Sequence, residues 1–384
     1  MIRVEAALAR AQEAVSIVPA GTAAAIDGAQ IDGRTLAQGV ADAGVPVPAF
    51  LAELRPQIGA AADHVHYGAT SQDILDTAIC LCLGDALDGI SAQLSETIDA
   101  LATQASKHPG LPMLGRTRGQ YATPISFALR VANWAAPLIA LEAGLPDVRA
   151  RALKIQMGGS AGSSYAMHPH GPAIASAMAA ELGLADAAPW HADRSGFAAL
   201  ASWLAQVVTA HSKMAGDLAL SARSEIGEMR AGQGGGSSTM PHKSNPVTTE
   251  ALLACHPIAI ASQSGLAQAA VHAEERDGAG WAVEWHLLPQ LCEVTGAALS
   301  HGATLAKTLI PNAERMRAAI DANPAVMAEA LVFALAPSLG RVEATTKVKE
   351  ALAKGTLPDG DVPSPETLAQ IADEAAARIF AGRP

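Results

Sequence analysis

Aromatic residues are nearly missing from this 384-residue chain: five Trp, three Tyr and five Phe make up 3% of it. Sheet-rich folds draw on aromatic and β-branched side chains, so this poverty argues against one. Alanine and leucine fill the gap in a chain that is 50% apolar, which favours helices. Cysteine is scarce too. Cys80, Cys82, Cys255 and Cys292 form no disulfide framework in a chain of this length, and Cys80 and Cys82 read as packing residues of an apolar helix. No basic block occurs against a net charge of −11, which argues against nucleic acid as a partner. A small anionic substrate remains compatible, because a local group of Arg and Lys focuses a positive field inside an acidic protein. No stretch reaches the ~20 uncharged apolar residues of a membrane span; residues 128–141 are interrupted by Arg130 and Asn133. The opening Met1-Ile2-Arg3-Val4-Glu5 leads into an amphipathic helix and lacks the apolar core of a signal peptide. The chain is expected in the cytoplasm, away from any membrane.

What is present is helical periodicity. Leu83, Leu87, Ile90, Leu94, Ile98, Leu101 and Ala105 form a coiled-coil-like seam that ends at His108-Pro109-Gly110. Leu200, Leu204, Val207, His211, Met214 and Leu218 repeat the pattern. A third run extends from about Pro124 to Met157, with Pro137 as a kink point, and stops at Gly158-Gly159. No alternating strand of convincing length emerges. The expected fold is all-α, an elongated helical bundle whose long seams are buried between subunits. Breakers divide the chain into a short N-terminal helical domain (1–76), a central long-helix domain (77–306) and a small C-terminal helical domain (307–384). Loops are expected at 60–72, 108–121, 158–172, 185–196 and 227–246. Four of the five hold the polar residues that look chemical, as loops on a rigid scaffold usually do.

Gly234-Gly235-Gly236-Ser237-Ser238-Thr239-Met240-Pro241-His242-Lys243-Ser244-Asn245-Pro246 is the most informative of these. Glycines and prolines punctuate it as a loop that can close over a ligand, and it delivers three hydroxyls, a cation and an amide. A phosphate loop would need Gly directly before Lys, where His242 stands. His66-Tyr67-Gly68-Ala69-Thr70-Ser71-Gln72-Asp73 places Thr70 or Ser71 as the cap of a following helix, with Asp73 in its first turn. Free N–H groups at such an end attract anions. In Gly115-Arg116-Thr117-Arg118-Gly119-Gln120, two guanidiniums flank a hydroxyl, a set suited to bidentate carboxylate recognition. His64-x-His66 and His168-x-His170 lack the spacing and companion carboxylates of a zinc site, so no metal is expected. Trp281 and Trp285, one helical turn apart, read as core.

The glycine loop resembles the signature of the fumarase/aspartase superfamily, Gly-Ser-Ser-x-Met-Pro-x-Lys-x-Asn-Pro. The His66–Asp76 segment resembles the first shared region of that superfamily, and Gln72 tilts it toward the 3-carboxy-cis,cis-muconate cycloisomerases. Glu275-Arg276, Trp281, Glu284-Trp285 and Leu288-Pro289 are similar to a motif of the same cycloisomerases. The resemblance covers nearly the whole chain, which begins inside what looks like the family's first long helix and stops where relatives often continue. It implies that Ser237 exchanges a proton with carbon, that Lys243 and Asn245 stabilise an enolate-like carboxylate, and that His66 completes the catalytic set. It also implies that Thr70, Ser71, Arg116, Thr117, Arg118, Gln120, Ser238, His242 and Arg276 hold a small polycarboxylate. A homotetramer with shared sites, and no cofactor, belong to the same implication.

Lyases of this superfamily carry His where Arg118 stands. A guanidinium cannot trade protons near neutrality. The reaction therefore has no leaving group that needs a proton, or the chain is a silent scaffold. Cycloisomerisation of 3-carboxymuconate meets the first condition, since the substrate's own carboxylate is the tethered nucleophile. An adenylosuccinate-type C–N lyase is the alternative enzyme.

Overall fold

The computed structural model describes every residue except Thr35, Ser237, Ser238, His242, 359–361 and Pro384. Four short helices open the chain: α1 (Ile2–Ala14), α2 (Thr22–Asp27), α3 (Leu36–Ala43) and α4 (Val47–Leu54). Long ones follow: α5 (Ser71–Lys107), α6 (Phe127–Ala152), α8 (Ser195–Ser221), α9 (Val247–Ala269) and α10 (Gly278–Lys307), with the shorter α7 (Gly171–Leu182) between α6 and α8. Helices α11 (Ala313–Asp321), α12 (Ala328–Leu339), α13 (Arg341–Ala353) and α14 (Pro365–Ala381) complete the chain. The all-α expectation holds. No single helix among the described residues is long and apolar enough to cross a membrane.

Two compact units result. The first takes Met1–Gly89, Leu145–Leu204 and Ala261–Cys292; the second takes Ile90–Gly144, Ala205–Ile260 and Glu293–Pro384. Segment 1–76 falls wholly in the first unit and 307–384 wholly in the second, while 77–306 is shared, because each of the five long helices contributes to both units. In the first unit, α1 is wedged between two cores. Val4, Leu8 and Ala11 pack with Ile74, Met167, Ile174 and Met178, while Ala6 and Ala9 pack with Ile26, Val47, Phe50 and Leu54. Small alanines on the second face let the neighbouring helices approach closely, which is how a chain poor in aromatics reaches native density.

The seams depart from expectation in one respect. Every residue named in them, from Leu83 to Ala105 and from Leu200 to Leu218, is already at most 8% exposed within a single chain. They are intramolecular core, so any subunit contact must use other helix faces. Cys80 is buried and its thiol donates to the Ala152 carbonyl at 3.4 Å, whereas Cys82 is exposed rather than packed.

A strand pair also occurs where a loop and a helix start were expected. Strands β1 (Pro112–Thr117) and β2 (Gln120–Ser126) form an antiparallel hairpin, and α6 begins at Phe127 instead of near Pro124. The register shifts between Leu114 and Arg116, and Pro124 sits opposite Leu114. A two-stranded hairpin has only edges, so proline and a bulge are tolerated in it.

His211 on the α8 seam is the odd member of that core. Its Nδ1 lies 2.8 Å from the Val207 carbonyl, Nε2 has no partner among the described residues, and a Cβ at Gly302 would sit 2.1 Å from the ring. Burial pushes its pKa down to about 4, against a hydrogen bond to Val207 that works the other way. Between that value and the ordinary 6.5 the unfolded chain binds the extra proton. Stability should therefore fall as pH drops through this window, by about 3 kcal/mol. His211→Leu should remove that slope in urea unfolding compared at pH 7.5 and 4.5, while changing stability little at the higher pH. An unchanged slope would assign the acid sensitivity elsewhere.

Candidate functional site

In the first unit, the turn before α5 is held by Asp73. Its Oδ2 accepts the Thr70 N–H at 3.0 Å and the Gly159 N–H at 2.8 Å. Oδ1 accepts the Gly158 N–H at 3.0 Å and lies 2.8 Å from His191 Nε2. The residue is fully buried, so its carboxylate is saturated and structural. Gly159 has φ +73°, and a Cβ there would approach the Gly68 carbonyl to 2.8 Å, so only glycine lets the two loops meet. His66, at φ +65°, places Nδ1 2.6 Å from Glu5 Oε1, a fully buried carboxylate on α1. A carboxylate partner favours the tautomer protonated at Nδ1 and leaves Nε2 for other partners.

Arg276 reaches the same turn. Its Nε donates to Gln72 Oε1 at 3.0 Å and its Nη2 to the Ser160 carbonyl at 2.9 Å. Gln72 in turn donates to Asp76 Oδ2 at 3.1 Å and to the His191 carbonyl at 3.0 Å. Asp76 is fixed by Arg194 Nη1 at 2.7 Å and by the Trp281 indole N–H at 2.8 Å. Arg194 also pairs with both oxygens of Glu284, at 2.9 and 2.5 Å, and stacks on Trp190 and Phe197. Burial alone would lower its pKa, but the field of Asp76 and the Glu284 hydrogen bonds outweigh it and hold the charge on. Burial shifts Glu284 up, the nearby Asp76 charge adds to the shift, and the hydrogen bonds and charge of Arg194 work against it. Trp281 is core as expected, and Trp285 packs edge-on against it with ring centroids 4.6 Å apart.

The second unit holds the other expected residues. Thr117 and Gln120 pair at the end of the hairpin, and Arg118-Gly119 forms its two-residue turn with φ +54° and +78°. Positive φ at both positions is the geometry that matches strand twist. A non-glycine residue in that region is strained, and strain concentrates at functional positions. Thr117, Arg118 and Gln120 are exposed. Arg116 differs: Nη1 and Nη2 donate to Glu228 at 2.8 and 2.7 Å, which raises its pKa. Its two terminal nitrogens are thus committed within the chain. Asn245 pairs with Gly235 at the base of the glycine loop, and the Lys243 N–H donates to the Met240 carbonyl at 3.0 Å. Ser237, Ser238 and His242 lie outside the described residues.

The structure thus gathers His66, Thr70, Ser71 and Arg276 in one unit, and Arg116, Thr117, Arg118, Gln120, Lys243 and Asn245 in the other. Sequence reasoning missed Glu5, His191, Arg194 and Glu228. Asp73 and Asp76 had a signal, since residues three apart share a helix face.

Residues 3–257 match the family described as Lyase. The chain belongs to this family. Among its relatives, the 3-carboxy-cis,cis-muconate cycloisomerase of Bradyrhizobium diazoefficiens is 38% identical over 364 residues, 91% of this chain and 81% of that protein. Nitrosuccinate lyase of Streptomyces davaonensis is 35% identical over 383 residues, 93% of this chain and 80% of that protein. The crystal structure of 3-carboxy-cis,cis-muconate lactonizing enzyme from Pseudomonas putida superposes with a TM-score of 0.90 at 33% identity, covering 100% of this chain and 93% of that one. Membership of the lyase family accounts for the glycine loop and the turn before α5 together.

Proposed function

We propose that this enzyme is a cycloisomerase that converts 3-carboxy-cis,cis-muconate into a carboxymuconolactone in aromatic catabolism. The near full-length similarity to 3-carboxy-cis,cis-muconate cycloisomerases carries the reading. Arg118 at the hairpin tip fits it, because no leaving group awaits a proton. In the reaction a substrate carboxylate oxygen bonds to an alkene carbon, and the electron pair of that double bond moves onto the adjacent carbon and its carboxylate. The adjacent carbon then takes one proton, which solvent replaces on the donor. Ser237 is the proposed donor, with Lys243 and the loop N–H groups stabilising its alkoxide and Asn245 binding the enolate-like carboxylate. Arg118, Thr70, Ser71 and Arg276 hold the remaining carboxylates; Arg276 is aimed by Gln72. Arg116, matched by Glu228, shapes the hairpin.

Cytoplasmic location and a homotetramer with shared sites belong to the same proposal. Support for assembly comes from α9, which leaves Leu253, Ile258 and Ile260 exposed within a single chain.

The deciding experiment follows loss of the conjugated diene of 3-carboxymuconate by ultraviolet absorbance, with adenylosuccinate and nitrosuccinate as competing substrates. Light scattering on the same preparation reads its assembly. Turnover of carboxymuconate at least 100-fold above either competitor, by a tetramer, is the expected result. Preferential cleavage of a competitor would move the chain to the lyases, and a fully active monomer would remove the shared site.

A further inference from the structure

A cavity of about 520 Å³ opens behind the hairpin in the second unit, between β1, β2, the start of α6 and the end of α8. Among its lining residues are Arg116, Thr117, Arg130, Lys213 and Asp217. The charges can be matched pair by pair. Glu228 takes both terminal nitrogens of Arg116. Lys213 is paired with Asp217 one helical turn along α8, and Asp217 also accepts the Trp134 indole N–H at 2.7 Å. Arg130 is left over. It is half-buried, and no hydrogen bond or ion pair within the described residues engages its guanidinium.

Nothing in the local structure explains an arginine there. It falls in the first turn of α6, whose entry is already capped by Ser126 Oγ accepting the Leu129 N–H at 3.0 Å. A cation at a helix N-terminus opposes the helix dipole, and a second guanidinium stands close by in Arg116. Burial bears most heavily against the charge and Arg116 adds to it, while the fields of Asp217 and, more weakly, Glu228 support it without an ion pair and do not make up the loss. Three unfavourable surroundings around one unpaired guanidinium call for a fourth group, an anion of a size the cavity admits.

We propose that Arg130 binds a substrate carboxylate in this cavity, in the place that the sequence motif gives to Arg116. The assignment rests on the polycarboxylate reading above and narrows it. Thr117, the motif hydroxyl on the same wall, supplies a second donor. The planar fork of Arg130 suits a carboxylate better than a point charge would.

Tricarballylate, a saturated and unreactive tricarboxylate, serves as the probe. Its dissociation constant is read by calorimetry for the wild-type enzyme, Arg130→Gln and Arg130→Lys, beside KM and kcat for carboxymuconate. Arg130→Gln should weaken tricarballylate and raise KM by about 10- to 100-fold, and Arg130→Lys should recover part of the loss. If the Gln variant fails to fold, the Lys variant decides, with at least threefold weaker binding supporting the site. Unchanged tricarballylate affinity and KM in a folded variant would overturn it, whatever the wild-type activity. A wild-type enzyme that ignores carboxymuconate yet binds tricarballylate through Arg130 would instead keep the site and remove the cycloisomerase reading.

Discussion

Ser237→Ala should lower kcat for carboxymuconate by on the order of 10²–10⁴, the usual worth of a positioned acid or base. Gly235 pairs with Asn245 and Gly236 with Ser244 in a short antiparallel clasp. A Cβ at Gly234 would fall 1.9 Å from Ser244 Oγ, and one at Gly235 would fall 2.6 Å from Val247, so the clasp can close only on glycine. Asn245 belongs to this clasp, and Lys243 stands two residues before it in the sequence. A serine hydroxyl becomes a useful acid only if its alkoxide is stabilised away from water, and the Lys243 charge with nearby N–H groups is the means available. The loss should fall on kcat, with KM within a few-fold, because the proton moves only in the transition state. Thermal unfolding should be unchanged. A variant with near wild-type turnover would transfer the proton-donor role to another group, with His66 and its Glu5 partner the next candidate.

The turn before α5 was legible in sequence because its parts are local: the hydroxyls, the first-turn carboxylate and the glycine lie within a few residues of one another. The glycine loop was legible for the same reason. What escaped were partners supplied from far along the chain. Glu228 is 112 residues from Arg116, and nothing in Arg116's neighbourhood announces that its terminal nitrogens are taken. Arg194 gives no periodic signal, yet it connects Asp76 to Glu284. The hairpin escaped because its strands break the rules for strands. They contain a bulge at Gly115 and prolines at 112 and 124, and the turn is Arg-Gly rather than Asn-Gly. The seams were read correctly as buried faces and wrongly as subunit contacts, since periodicity tells that a face is covered but not by what.

Arg194→Leu should destabilise the enzyme by about 3–5 kcal/mol, the cost of stripping the counter-ion from a buried pair. Here the cost falls on two carboxylates at once. Asp76 and Glu284 are both almost wholly buried, and Arg194 is the only guanidinium or ammonium within ion-pair distance of either among the described residues. Removing it leaves Asp76 with the Trp281 indole and the Gln72 amide, and leaves Glu284 with His272 Nε2 at 3.9 Å. His272 is a poor substitute, because burial, which the substitution leaves in place, holds its pKa below the ordinary value. Without Arg194, both carboxylates should bind protons more readily in the folded chain than in the unfolded one. The variant's deficit should therefore shrink as pH falls, opposite in sign to the His211 effect. Adding Glu284→Gln to Arg194→Leu should recover part of the loss, since a neutral amide costs less to bury than an unpaired carboxylate. Activity should fall beyond what stability explains. Arg276 is aimed by Gln72, Gln72 by Asp76 and Asp76 by Arg194, so a relaxed Asp76 should raise KM for carboxymuconate even where the variant remains folded. Urea unfolding at pH 8 and pH 5, with KM at the higher pH, measures both effects. A loss under about 1 kcal/mol, or one that grows as pH falls, would mean that the carboxylates are already neutral in the folded enzyme and that the chain of contacts to Arg276 is not electrostatic.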